Sequence, residues 1–241
     1  MSTFDILVVV VGIAAGGVAS VAGFGVGSLL TPLLTPSAGA KLAVALVSVP
    51  HAIGTLLRLW RLRHDISWPV VKTFGLASTA GGLAGAYAFT QSRAALLARV
   101  LGLLLVFVGA AELLGAAARF RVGGKWASVA GAVSGLFGGM VGNQGGIRTA
   151  GLVAFGLQPR AFVATAAAIA LIVDLVRVPM YAMSEGEAML AAWRVMALAT
   201  VGVVIGTFAG SGILMRLPEQ TFRRVVGVVL LALGIWMLTQ S

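Results

Sequence analysis

The sequence predicts an all-α integral membrane protein, a helical bundle made of two homologous halves. Composition, long apolar runs and an internal repeat carry this prediction. Of the 241 residues, 59% are apolar and 10% are charged, and the mean hydropathy is +1.04. Soluble domains have roughly 45–50% apolar and about 25% charged residues. A chain of this composition must present apolar surface to lipid.

The apolar runs are read as helices because the alternating pattern of a membrane β-barrel is absent. They cover residues 4–22, 26–36, 40–57, 69–90, 96–118, 126–142, 147–157, 161–183, 189–215 and 222–239. A helix needs about 20 residues to cross the hydrocarbon core. Most runs reach that length, but the second and seventh do not, and each of these follows a glycine-rich break. We therefore expect eight to ten membrane segments, including two broken or re-entrant ones.

The internal repeat divides the chain into residues 1–120 and 121–241. RVLGLLLVFVGAAELL, from residue 99, matches RVVGVVLLALGIWML, from residue 224. The matched pairs are Gly81 with Gly202, Gly85 with Gly206, Gly102 with Gly227, Gly109 with Gly234, Lys41 with Arg160 and Arg58 with Arg177. Their order along the chain favours a duplication.

Basic residues predict the topology. The 17 Lys and Arg exceed the 7 Asp and Glu, giving a formal charge of +10. They lie between apolar runs, as in membrane proteins, so we expect no nucleic-acid partner. If each short run returns the chain to its starting side, 12 basic residues share one side and the other 5 lie opposite. The 12 are Arg58, Arg61, Arg63, Lys72, Arg119, Arg121, Lys125, Arg148, Arg160, Arg216, Arg223 and Arg224. That bias predicts inverted halves with both termini outside.

Enzymatic function is not expected from this sequence. It contains no cysteine and two histidines, so thiol catalysis and a His-based metal centre are disfavoured. The HExxH, GxSxG and P-loop motifs are absent. We expect no cofactor, and energy from a gradient or a partner protein.

The two glycine-rich breaks are the candidate binding site, because broken segments at matching points of two halves mark the sites of transporters. Unpaired backbone amides and the positive ends of half-helices suit an anion. The candidate residues are Gly23, Gly25, Gly27, Ser28 and Thr31 in the first half, and Asn143, Gln144, Gly145, Gly146, Arg148 and Thr149 in the second. Two structural alternatives stay open: the glycines serve helix packing, or Arg148 is an interfacial loop residue.

Three further residues are candidates for coupling or gating. Asp174 and Arg177 lie three residues apart in one apolar run, as a structural salt bridge or part of a substrate or proton path. His51 could titrate near neutral pH, or it could simply pack. The basic stretch 58–68 is interpreted as a cytoplasmic loop that anchors the topology.

These motifs resemble the TauE/SafE permease family, which is associated with sulfite and organosulfonate transport. The resemblance rests on GVASVAGFGVGSLLTPLL at 17–34, its echo GAVSGLFGGMVGNQGGIRTAGLVAFGL at 131–157, and the paired RVLGLLL and RVVGVVL segments. Where the family usually has a glycine triplet, Phe24 and Val26 interrupt the first break. The resemblance implies a carrier of small anions, with sulfite or a sulfonate as the leading class, in the bacterial inner membrane.

Three functions follow as hypotheses. The first is a secondary permease that holds an anion at the breaks by alternating access. The second is an anion channel that uses the same groups. The third is a non-transporting membrane enzyme or assembly factor. Expected partners are the anion and membrane lipid, and the small-residue helix faces make a homodimer plausible.

Overall fold

The computed structural model describes residues 2–115, 125–214 and 219–240. These residues form helices, with no strand among them, so the all-α prediction is confirmed. The helices are α1 (Thr3–Ala22), α2 (Val26–Leu62), α3 (Trp68–Val70), α4 (Leu76–Gln91), α5 (Ala94–Leu113), α6 (Lys125–Val141), α7 (Gly145–Val153), α8 (Pro159–Ala191), α9 (Trp193–Leu214) and α10 (Glu219–Thr239). The proposed boundary between halves at 120/121, together with Arg119, Arg121 and Arg216, lies outside the described residues.

The surface of the bundle suits lipid. Large apolar side chains point outward, among them Met183, Leu175 and Phe107, which are 88%, 68% and 65% exposed. By length and composition, five helices of the described residues qualify as membrane spans, and two more are apolar but shorter. The larger number of eight to ten segments stays a prediction.

Several boundaries differ from the apolar runs. The second and third runs are continuous in α2, but its backbone is non-helical at Gly39, where φ is +75° and ψ is 156°, so a kink separates two helical segments where the runs predicted a gap. A π-helical turn, Val71–Gly75, joins α3 to α4. The basic stretch 58–68 is only partly a loop, because α2 continues to Leu62 and buries Arg58 within the bundle. The prediction that this whole stretch is a surface loop is therefore wrong.

Helices that are far apart along the chain pack on one another. The first helix, α1, runs parallel to α9: Asp5 pairs with Arg194 at 2.7 Å near one end, and the Ser20 hydroxyl donates to the Thr207 carbonyl near the other. A second pair, α6 and α4, is also parallel, because Gly135 faces Ser78 and Gly139 faces Gly82. Close approach at glycine brings these backbones into contact.

Two other pairs run antiparallel. In α5 and α10, Gly102 faces Gly234 and Gly109 faces Gly227. In α2 and α8, Lys41 lies 3.5 Å from Glu185 and His51 lies 2.7 Å from Asp174. These pairs place Arg58, Arg61 and Arg160 at the end of the bundle away from Asp5; we call it the basic end.

We expect Gly135→Ala to destabilise the fold strongly. A Cβ there would overlap the Ser78 carbonyl oxygen and lie 2.8 Å from the Gly82 nitrogen, both of them backbone atoms of α4. Overpacking of this kind costs about 1–3 kcal/mol or more. The matched control is Gly186→Ala, where a Cβ meets no atom within 4 Å. Unfolding temperatures measured in detergent should fall for Gly135→Ala alone, and equal values for the two variants would contradict this packing.

Candidate functional site

The two glycine-rich breaks begin with the same left-handed backbone turn. Gly23 follows the last residue of α1 with φ +76°, and its amide donates to the Ala19 carbonyl at 3.0 Å. Gly142 follows α6 with φ +71°, and its amide donates to the Gly138 carbonyl at 3.1 Å. This left-handed conformation favours glycine, which ends each helix and turns the chain.

The breaks pack directly against each other. Gly27 lies against the Gly142 carbonyl, and Gly145 lies against the Phe24 side chain, so closely that a Cβ at either glycine would overlap its neighbour. Because α2 and α7 both begin here, two helix N-termini converge. The first amides of a helix have no intrahelical acceptor and carry the positive end of its dipole.

Arg148 joins the two breaks. It lies in the first turn of α7 with 2% of its surface exposed, and its Nη2 donates to the Gly23 carbonyl at 2.8 Å. Its Nε and Nη1 have no hydrogen-bond partner in the described part of the chain. The alternative that placed Arg148 in an interfacial loop is therefore wrong.

Asn143 and Gln144 add further polar atoms beside this arginine. They are 4% and 3% exposed, and the Asn143 Nδ2 and both amide atoms of Gln144 lack partners among the described residues. A buried polar atom without a partner costs about 1–3 kcal/mol. The junction thus offers more donors than acceptors, an arrangement suited to an oxyanion.

The first break contributes fewer polar side chains to this junction than the second. Phe24 and Gly25 occupy the places that Asn143 and Gln144 hold in the second break, counting from Gly23 and Gly142. Ser28 and Thr31 are buried in the first turns of α2, each 1% exposed.

The remaining predicted residues of the breaks lie away from this polar junction or at its edge. Gly25 packs on the Val18 side chain, and Gly146 packs on Val108 of α5. Thr149 is half-buried. A packing role therefore accounts for Gly25 and Gly146 more directly than contact with a ligand does.

Asp174, Arg177 and His51 form one connected network. The Arg177 Nε and Nη2 each lie 2.8 Å from Asp174 Oδ1, and His51 Nδ1 lies 2.7 Å from Asp174 Oδ2. The Arg177 Nη1 donates to the Gly138 carbonyl at 3.1 Å. Both carboxylate oxygens and every nitrogen of this guanidinium are therefore engaged. Such saturation is typical of a structural ion pair, and the coupling role stays a prediction.

Arg58 is the buried charge that the sequence analysis did not select. It is 6% exposed and interacts electrostatically with Arg148 and Asp174. Arg58, Arg148 and Arg177 oppose the single carboxylate of Asp174, so these four groups carry a net charge of +2 (three minus one). The repeat gave a signal, since Arg58 matches Arg177.

The comparison with known proteins agrees with this anion-favouring interior. The family described as sulfite exporter TauE/SafE matches residues 8–237. No curated protein and no solved structure matches the chain. Because the match covers nearly the whole sequence, this chain belongs to the sulfite exporter TauE/SafE family of multi-pass membrane transporters.

Proposed function

We propose that the protein is a secondary permease that carries sulfite or an organosulfonate by alternating access, with the anion held where the two breaks meet. The observation that carries this proposal is Arg148, buried with its Nη2 bonded to the Gly23 carbonyl and its Nε and Nη1 unpartnered. A sulfite or sulfonate group offers oxygen acceptors to those donors and to the Asn143 and Gln144 amides. Charge-assisted hydrogen bonds are about twice as strong as neutral ones.

Alternating access is supported by the arrangement of the halves, which we infer to be inverted repeats. Helices α5 and α10 carry the matching RVLGLLL and RVVGVVL segments and pack antiparallel. Gly81 and Gly202 face corresponding residues, Ala132 in α6 and Val9 in α1, and the pair Gly85 and Gly206 continues the pattern. Inverted repeats can exchange conformations, which opens a fixed central site to each side in turn.

The same arrangement supports a location in the bacterial inner membrane with the basic end in the cytoplasm. Because α1 and α9 begin at the same end of the bundle, and α10 returns the chain to that end, both termini would lie outside. The positive-inside rule supports this orientation. A homodimer remains part of the proposal through the small-residue helix faces.

Flux of radiolabelled sulfite into proteoliposomes tests the proposed function. We expect saturable uptake that accelerates when unlabelled sulfite is present on the opposite side, since a carrier returns faster when loaded. Methanesulfonate should compete, and chloride should not. Protein-free liposomes give the background.

Two results would contradict the permease. Rapid sulfite current without exchange acceleration would favour a channel, because a channel needs no moving barrier. Absence of sulfite and methanesulfonate flux under any imposed gradient would remove the transport proposal for this anion class.

A further inference from the structure

A second polar feature lies at the basic end, outside the junction of the two breaks. A cavity of about 290 Å³ opens there between α1, α2, α8 and α9. Its lining includes Ser20, Arg58, Arg61, Arg160, Val163 and Thr207, and no carboxylate of the described residues belongs to it. Its volume approaches the lower end of the roughly 300–1,000 Å³ typical of small-molecule sites.

Arg58 has an unsatisfied guanidinium in this cavity. Its Nη2 donates to the Thr55 hydroxyl at 2.8 Å, while its Nη1 has no partner among the described residues, and neither has the hydroxyl of Thr207. A Cβ at Gly54 would lie 3.6 Å from each of these two atoms. The unpartnered nitrogen and hydroxyl thus both lie beside Gly54, buried next to the cavity that their residues line.

Arg58 lacks the carboxylate partner that Arg177 has. Each arginine is buried, and each bonds to the side chain three residues before it in its helix. For Arg177 that side chain is Asp174, whose carboxylate neutralises the charge. For Arg58 it is Thr55, a neutral hydroxyl. The buried charge of Arg177 is therefore neutralised by the side chain that it contacts, whereas the buried charge of Arg58 is not.

The charges at the mouth strengthen this preference for anions. Arg61 lies over the Phe208 ring at 5.4 Å. Arg160 makes an exposed ion pair with Asp65 at 3.5 Å, and Asp65 does not line the cavity. Exposed pairs of this kind contribute little. The field in the cavity is therefore set by guanidinium groups.

We propose that this basic cavity is a second anion subsite, which binds a small sulfonate or sulfite-like oxyanion before it reaches Arg148. The order of binding, first in this cavity and then at Arg148, rests on the proposed transport function. Ser20 connects the two places: it lines the cavity and lies three residues before Gly23, whose carbonyl holds Arg148. Arg58 and Thr207 would supply the donors at the subsite.

Cysteine labelling tests the subsite without relying on transport. The chain contains no cysteine, so Val163→Cys places a single thiol in the cavity wall. We compare its reaction rate with 2-sulfonatoethyl methanethiosulfonate and with the trimethylammonium analogue of that reagent. With each rate divided by that of the same reagent with a free small thiol, the sulfonate should react about tenfold faster or more, as expected for a charged cleft, and methanesulfonate, which does not attack the reagent, should slow its reaction.

Thr55→Asp supplies Arg58 with the carboxylate that Arg177 has, and should remove both the sulfonate preference and protection by methanesulfonate. Thr55→Ser is the matched control and should keep them. If Thr55→Asp does not fold, Arg58→Gln provides the same test. Equal normalised rates for the two reagents in the Val163→Cys protein, or no effect of Thr55→Asp or Arg58→Gln, would overturn the subsite. A surviving preference in a protein that moves no sulfite would instead contradict the proposed function.

Discussion

Arg148→Gln should abolish sulfite transport while leaving the protein folded. Glutamine keeps a donor in the space but removes the charge, whose loss at a buried charged contact costs about 2–5 kcal/mol. Transport should therefore fall by at least about thirtyfold at subsaturating sulfite. Proteoliposome flux measures this effect.

The stability of the Arg148→Gln variant should not fall with its transport activity. The wild-type guanidinium is buried with unpartnered Nε and Nη1, and desolvation penalises such a group. Its removal should leave the unfolding temperature unchanged or raise it. The control is Arg93→Gln at the exposed start of α5, which should preserve both flux and stability. A well-folded Arg148→Gln variant with wild-type flux would exclude this arginine from the site.

Arg177→Met should have the opposite effect, a severe loss of folded protein. This change leaves the Asp174 carboxylate, which is 1% exposed, without the guanidinium that contacts its Oδ1. Breaking a buried ion pair from one side costs about 3–5 kcal/mol. The fraction of monodisperse protein after extraction and the unfolding temperature in detergent both report the loss.

The double variant Asp174→Leu with Arg177→Met provides the control for that result. Removing both charges leaves no uncompensated ion, and apolar replacement of a buried pair is often neutral or stabilising. We therefore expect much of the stability to return. His51 would lose its carboxylate partner and limit the recovery. If the single variant were as stable as the wild type, the pair would not hold α8 in place.

The sequence predicted the fold where apolar runs end in strong breaks, as at Gly23 and Gly142. It failed where a local polar segment does not interrupt the helix. Ser184, Glu185 and Glu187 resemble a loop between two runs, yet α8 continues through them to Ala191. Helix formers sustain it, and Lys41 lies 3.5 Å from Glu185. At Gly39 the sequence was informative, because the gap between the second and third apolar runs coincides with the non-helical residue that kinks α2.

For the candidate site, the sequence located Arg148, Asn143 and Gln144 because polar residues are expensive in an apolar segment. It could not show that Phe24 fills the first break or that Gly146 packs on α5, since those contacts join distant parts of the chain. Arg58 was assigned to a surface loop because it begins a run of basic residues. Arg58 follows Thr55 by three residues, as Arg177 follows Asp174. This spacing is visible in the sequence, but its importance became clear only when the structure showed that Arg58 is buried.

The packing of α1 on α9 has a consequence for how the protein assembles in the membrane. Because α1 packs on α9, which is translated about 190 residues later, the glycine face of α1 is covered only after α9 has been made. Until then α1 must remain stable in lipid by itself, and its mean hydropathy of 2.3 suits that requirement. Assembly in the bilayer joins helices that are already inserted. Neither half can complete its packing during translation, so the final fold forms only after the second half has entered the membrane.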